Sequence, residues 1–271
     1  MPAVTHDGVT IGYEVAGEGH PIILLHGWLT DRSWWTEFGF ADALVSDHQV
    51  VTVDLRGHGR SGAPHGREAY RGEERVGDLL AVADAVGIDR FAVWGLSLGG
   101  WVAWFAAQNA PERVQALVTT GCWDPLQPEP TEWTQEDEQL LTLLRSGDMA
   151  AVVAIFEDGE GSGARVDGFE FPPEILSVMR LCDPIAVADC FEESQSSGIA
   201  DVATIATPTL LISGELEDPE DDAAAMTARL QRGERLRLAN LDHAGTGAAS
   251  ELTIPTVRAF LNHWMAPTIT G

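Results

Sequence analysis

VWGLSLGGWVAW, residues 93–104, begins as a strand and ends as a helix. Apolar residues run unbroken up to Trp94, and a helix-forming stretch starts at Leu98. Only Gly95-Leu96-Ser97-Leu98-Gly99 makes the turn, with another glycine at Gly100. This is G-x-S-x-G between a strand and a helix, a turn that stands the serine oxygen clear of the sheet. The glycines follow from crowding, because neighbouring backbone comes too close to admit side chains. The N–H of Leu98, at the helix start, can donate to a developing oxyanion.

Working outward, strand and helix patterns alternate on both sides of this turn. Residues 9–17, 21–27, 48–55, 91–97 and 114–121 read as strands, several of them continuous apolar runs expected of strands buried on both faces. Residues 31–45, 72–88 and 98–110 read as the helices between them. Such alternation predicts an α/β fold with a mostly parallel sheet. Residues 122–207 break the rhythm with helical patches at 134–147 and 172–191 and a glycine-rich stretch, DGEGSGARVDG. The alternation resumes with PTLLISGE (208–215), a helix from about Pro219 to Leu230, RLRLANL (235–241) and a last helix near 250–264. The expected organisation is a core of residues 1–121 and 208–271 with a helical cap, residues 122–207, inserted after the sixth strand. Such a cap would lie over the carboxyl edge of the sheet, where open α/β sheets bind ligands.

Composition narrows the chemistry. Sixteen basic residues, all arginine, stand against 42 acidic ones, for a formal net charge of −26. That field repels nucleic acid and anionic lipid. With no lysine in the chain, Schiff-base chemistry, a pyridoxal anchor and a P-loop lysine are excluded. The inserted region carries 18 acids and 3 arginines, so the charge is concentrated there. Cys122, Cys182 and Cys190 are odd in number and widely spaced, which suggests free thiols in a reducing compartment. No apolar run approaches the ~18 residues that cross a bilayer. The opening MPAVTHDGVT lacks a signal-peptide pattern. The expectation is a cytoplasmic protein with no cofactor, metal, membrane or nucleic-acid partner.

A serine nucleophile needs a base. Of eight histidines, His243 in ANLDHAGTG directly follows the last strand, in the chain order nucleophile, acid, histidine. His263 falls inside the terminal helix and reads as structural.

With these residues in place, the chain resembles the α/β-hydrolase superfamily over nearly its whole length. His26-Gly27-Trp28 follows an early strand, DLRGHGRS (54–61) follows the next, the serine elbow spans 95–99, and GELEDP and DHAG come late. The resemblance implies that the backbone N–H of Trp28 is the second oxyanion donor, and that an acid after PTLLISGE orients His243. Six of the eight residues from 215 to 222 are acidic. The Gly-x-x-Asp spacing of many relatives selects Glu217, whereas Asp218-Pro219 looks like the family's Asp-Pro displaced by one. Asp218 is taken as the leading candidate, with Glu217 and Asp124 in GCWDP as alternatives.

Sibling chemistries on this fold depart from the sequence. Haloalkane dehalogenases and α/β epoxide hydrolases use an aspartate where Ser97 stands, and the latter also use cap tyrosines. The only tyrosines here are Tyr13 and Tyr70. Hydroxynitrile lyases of this fold need a lysine, and ring-cleaving dioxygenases carry histidine at the Leu96 position. The resemblance therefore implies a cofactor-independent serine hydrolase of carboxylic esters or lactones. A carbon–carbon bond hydrolase with the same triad, or a receptor on the same fold, is the alternative. Trp28 and Trp123 beside strand ends, Trp133 in the insert and Cys122 are expected near the cleft. Trp34, Trp35, Trp101 and Trp104 are expected in the core. An aromatic cleft under an acidic cap suits an uncharged, apolar or aromatic small molecule.

Overall fold

In the computed structural model, residues 2–122, 124–126, 134–157, 169–194, 197–199 and 201–265 are described. Eight strands form one sheet: β1 (Ala3–His6), β2 (Val9–Ala16), β3 (His20–Leu25), β4 (His48–Val53), β5 (Phe91–Leu96), β6 (Val114–Thr120), β7 (Thr209–Gly214) and β8 (Gly233–Leu238). Their order is β1-β2-β4-β3-β5-β6-β7-β8. The pairs from β4 to β8 are parallel, while β1–β2 and β2–β4 are antiparallel. β1, absent from the sequence expectation, is joined to β2 by Asp7 and Gly8, both at positive φ. Asp-Gly is the favoured pair for so tight a hairpin.

The helices are α1 (Trp34–Glu37), α2 (Phe40–Leu44), α3 (Gly72–Val86), α4 (Leu98–Asn109), α5 (Gln135–Ser146), α6 (Met149–Glu157), α7 (Pro173–Arg180), α8 (Pro184–Ser194), α9 (Asp222–Arg229), α10 (His243–Ala248) and α11 (Ser250–Met265). Helices α5 to α8 all fall between β6 and β7. Among the described residues no helix is long and apolar enough to cross a membrane.

Both faces of the central strands are buried, so alternate residues feed two cores. Ile23 and Leu25 of β3 and Phe91 and Val93 of β5 enter one, with α3 and α4. Ile22, Leu24, Ala92 and Trp94 enter the other, with Trp34, Trp35 and α11. The four tryptophans expected in the core are all buried.

Three helix expectations need correction. The stretch 31–45 is two short helices, because Gly39 between them takes a left-handed φ of 74°. The stretch 172–191 is likewise two, because Asp183-Pro184 starts a new helix. Pro184 has no N–H, and Asp183 Oδ1 accepts from Ile185 N–H and Ala186 N–H. The helix expected from Pro219 begins at Asp222.

The sheet order reverses between β3 and β5: the chain leaves β3 for β4 on one side and returns as β5 on the other. Carboxyl ends of strands beside such a switch point are where α/β sheets place ligands. Here those ends carry His26-Gly27-Trp28 and Ser97.

Candidate active site

Ser97 sits between the end of β5 and the start of α4 with φ 51° and ψ −114°. A non-glycine residue in such a conformation costs about 1–3 kcal/mol, a strain that clusters at functional sites. The surroundings hold it there. Ser97 N–H donates to Thr120 O at 2.8 Å, and its carbonyl accepts from Trp101 N–H at 3.0 Å. A methyl group on Gly95 would lie 2.1 Å from Gly99 O, and one on Gly99 would lie 2.1 Å from Leu25 O. Both glycines are therefore required by close backbone approach, as the sequence implied.

On the β3 side, a methyl group on Gly27 would lie 3.6 Å from Ser97 Cβ, so this loop borders the serine. The Gly27 carbonyl accepts from His26 Nδ1–H at 2.7 Å and Thr30 Oγ1–H at 2.8 Å. Carbonyl and N–H of one trans peptide point in opposite directions. Fixing the Gly27 carbonyl therefore fixes the direction of the Trp28 N–H. His26 is fully buried, and its Nε2 accepts from Leu55 N–H at 3.0 Å, which sets the neutral tautomer with the proton on Nδ1. Burial lowers the His26 pKa, against the opposing pull of Asp54. The edge-on His58 ring, 5.4 Å away, is pushed down to about 3, first by burial and then by His26. Sequence reading gave His26 and Thr30 no role; the His-Gly pair was the signal available.

The Trp28 side chain turns to the inserted helices. Its indole Nε1–H donates to Val187 O of α8 at 2.9 Å, and its ring lies 4.9 Å from that of Phe191.

His243 opens α10. Asp242 caps that helix by accepting from Gly245 N–H at 2.9 Å. Asp directly before the histidine was the legible signal for this helix start. The His243 ring lies against Gly121, at φ 62°, where a methyl group would come within 2.6 Å of Cε1. Gly121 follows Thr120, the acceptor of the Ser97 N–H. Serine and imidazole are thus gathered around the carboxyl end of β6.

The expectation that Asp218 accepts from His243 is not met. His243 Nδ1 is 2.8 Å from Glu217 Oε2, and Glu217 Oε1 accepts from Gly214 N–H at 2.6 Å. Asp218 is also buried, but its carboxylate accepts from Asp222 N–H and Ala223 N–H at 2.7 and 3.1 Å and so fixes the start of α9. The Asp-Pro pair belongs to that turn, and the Gly-x-x-acid spacing from Gly214 identifies the residue facing the ring. Asp124 is exposed and accepts from Leu126 N–H. Among the described residues the ring is bonded at Nδ1 only, and Nε2 makes no hydrogen bond.

Cys122, expected near the cleft, is partly exposed, and burial of its thiol raises the pKa to about 12. Trp123 and Trp133 lie outside the described residues, as does the glycine-rich stretch. His263 is an exposed position on α11. A separate aromatic group joins Trp34 and Phe38 to Phe156, Phe169 and Phe171 of the insert, with ring separations of 4.5–6.4 Å. Trp34 Nε1–H donates to Gly247 O of α10, which places this group behind the helix that carries His243. Among the described residues, the grouping suited to a metal ion is His6, Asp7 and Glu74 beside β1, with ligand atoms within 4.8 Å of one another.

Sheet order, serine elbow and His243–Glu217 pair define an α/β-hydrolase fold, and residues 20–146 match the family described as alpha/beta hydrolase fold. Within that fold, the chain resembles a thermophilic esterase from Thermogutta terrifontis, at 20% identity and a TM-score of 0.81, covering 97% of this chain and 98% of that one. It also resembles the enol-lactonase from Burkholderia xenovorans LB400, at 24% identity and a TM-score of 0.78, covering 96% and 100%. A Bacillus subtilis (strain 168) protein provisionally named 2-succinyl-6-hydroxy-2,4-cyclohexadiene-1-carboxylate synthase is 31% identical over 158 residues, 56% of each chain. The chain spans about half or less of the length of the curated relatives it matches.

Proposed function

We propose that this chain is a serine hydrolase that cleaves a carboxylic ester or lactone through an acyl-enzyme. Ser97 is the nucleophile, His243 the base and Glu217 the orienting acid. The backbone N–H groups of Trp28 and Leu98 are the oxyanion donors. The observation that carries the reading is the strained Ser97 held against Thr120 beside a His243–Glu217 pair packed on the next residue, Gly121.

The chemistry follows from this placement. His243 Nε2 takes the Ser97 proton as Oγ attacks the substrate carbonyl. The resulting imidazolium donates its Nδ1–H to Glu217, which keeps the tautomer and offsets the charge. Negative charge builds on the carbonyl oxygen, where the two N–H donors stabilise it more than they stabilise the ground state. Collapse breaks the carbon–oxygen bond, and Nε2–H protonates the departing alkoxide. Water then repeats the sequence on the acyl-enzyme, releasing the carboxylic acid and restoring Ser97.

Helices α5 to α8 act in this reading as a cap over the carboxyl edge. The Trp28–Phe191 ring pair, where α8 meets the loop after β3, supports an uncharged, apolar or aromatic acyl group. Curated relatives also include epoxide hydrolases. Against that chemistry, a serine occupies the nucleophile position, and Tyr13 and Tyr70 are both buried outside the insert.

The test is reaction with a fluorophosphonate, followed by peptide mass mapping, alongside a panel of p-nitrophenyl esters, lactones, thioesters and a vinylogous diketone. The adduct is expected on Ser97, and Ser97→Ala is expected to abolish both labelling and ester turnover. Labelling elsewhere, or full ester turnover by Ser97→Ala, overturns the mechanism. Turnover of the diketone alone moves the reaction to carbon–carbon cleavage. Tight ligand binding with no turnover at all makes the protein a receptor.

A further inference from the structure

Trp28 has two ends with different attachments. Its backbone N–H shares a peptide with the Gly27 carbonyl, held on its inner side by His26 and Thr30. Its indole reaches the insert, donating to Val187 O and packing on Phe191, both in α8. The next residue, Leu29, is held at φ 62°, so the backbone leaving Trp28 turns sharply and cannot relax freely.

Helix α8 is in turn pinned to the core at a second place. Asp189, 5% exposed, accepts from Gly66 N–H at 2.6 Å and pairs with Arg145 of α5 at 2.7 Å. Arg75 of α3, fully buried, donates to Cys190 O and Ser194 Oγ. A buried hydrogen-bonded carboxylate and a buried guanidinium hold a helix in one place, because releasing either group leaves an unpaired charge away from water.

We infer that the Trp28 indole is a positioning residue that makes the seating of α8 on the core set the aim of the oxyanion donor. When α8 is seated, the indole bond fixes the outer side of the Gly27–Trp28 peptide while His26 and Thr30 fix the inner side. When α8 shifts, the indole must follow or break, and the N–H tilts away from the developing charge. An oxyanion donor acts through geometry set before reaction, so a small tilt costs rate with little effect on ground-state binding. The inference rests on the serine-hydrolase reading above.

The experiment is a double-mutant cycle on the full chain with Trp28→Phe and Asp189→Asn. The first removes the indole N–H and keeps a ring against Phe191. The second weakens the remote pin without touching the loop. For each variant, kcat and KM on the best ester of the panel are measured, together with the rate of phosphonate attachment to Ser97 and the Tm. Each single change is expected to lower kcat and the phosphonate rate about tenfold with KM within twofold. The double variant should be no slower than the slower single, since both break one linkage. Multiplying losses overturn the coupling, as does a rise in KM with kcat unchanged, which makes the indole a wall of the substrate path. If Trp28→Phe does not fold, Trp28→Tyr, which likewise removes the indole N–H, replaces it in the same cycle with the same expected outcome. Failure of the wild-type protein to label at Ser97 defeats the hydrolase reading instead, so the two failures are distinct.

Discussion

Glu217→Gln tests the site at its most informative bond. The carboxylate is 4% exposed and the His243 ring 37% exposed, with 2.8 Å between Oε2 and Nδ1. When the ring becomes imidazolium, unit charges at that separation attract by about 6 kcal/mol at an effective dielectric of ~20, and by about 3 kcal/mol at ~40. The half-open ring puts the true screening between these values, a loss of roughly 10²–10⁴ in kcat. Orientation acts in the same direction. Gly214 N–H donates to Oε1, so a glutamine keeps its carbonyl there and turns its NH₂ towards Nδ1. The ring must then carry its proton on Nε2, the wrong tautomer for accepting from Ser97. Steady-state ester kinetics, with Tm to check folding, give the measurement. Asp218→Asn is the control: it disturbs the start of α9 at a cost of about 1 kcal/mol of stability and leaves kcat within several-fold. A mild effect at Glu217 with a large one at Asp218 refutes the reasoning. Two mild effects with a large one at Asp124 return the role to that residue.

Three further outcomes are expected. His58 is neutral and buried with its pKa pushed from 6.5 to about 3, so its contribution is intact above pH 6.5 and is lost as pH falls towards 3. The loss from His58 alone is about 1.4 kcal/mol per pH unit, or about 2.7 kcal/mol at pH 4.5, and urea titrations of His58→Asn should show a shallower pH slope by one proton. Asp242 has the opposite sign: burial raises its pKa above 3.8 and Oδ2 has no hydrogen-bond partner among the described residues, so its ionisation lowers stability as pH rises past 3.8. Asp242→Asn keeps the cap on α10 and should raise the urea midpoint at pH 7, with the gain vanishing below pH 3.8; an equal gain at all pH values contradicts this. The net charge of −26 predicts that moderate sodium chloride raises Tm by screening self-repulsion within a Debye length of ~10 Å at about 0.1 M, and a steady fall in Tm refutes that account.

Much of this protein is legible in its sequence because the signals are local. Seven of the eight strands lie where the sequence reading places them, and the continuous apolar runs among them, as in β5 and β7, are the strands buried on both faces. Gly95 and Ser97 announce the elbow because crowding within a few residues dictates which side chains fit, whereas Gly99 is required by the Leu25 backbone at the end of β3. Asp183-Pro184 and Asp242-His243 were equally local helix starts that a reading by periodicity alone passed over.

The acid needed the tertiary structure. Glu217 and Asp218 are adjacent acids whose side chains both lie largely out of solvent, and sequence spacing supports either. What separates them is where β7 ends relative to His243, which depends on how β7, β8 and α10 pack. Glu217 then meets the ring with one oxygen and the Gly214 N–H with the other, while Asp218 turns into α9. The link from Trp28 to α8 spans 159 residues of chain, and no pattern in either segment specifies it. Local sterics and hydrophobic period are written residue by residue. Contacts between distant segments arise only when the sheet order brings strand ends together, and there the packing of β7, β8 and α10 decides which carboxylate faces the histidine.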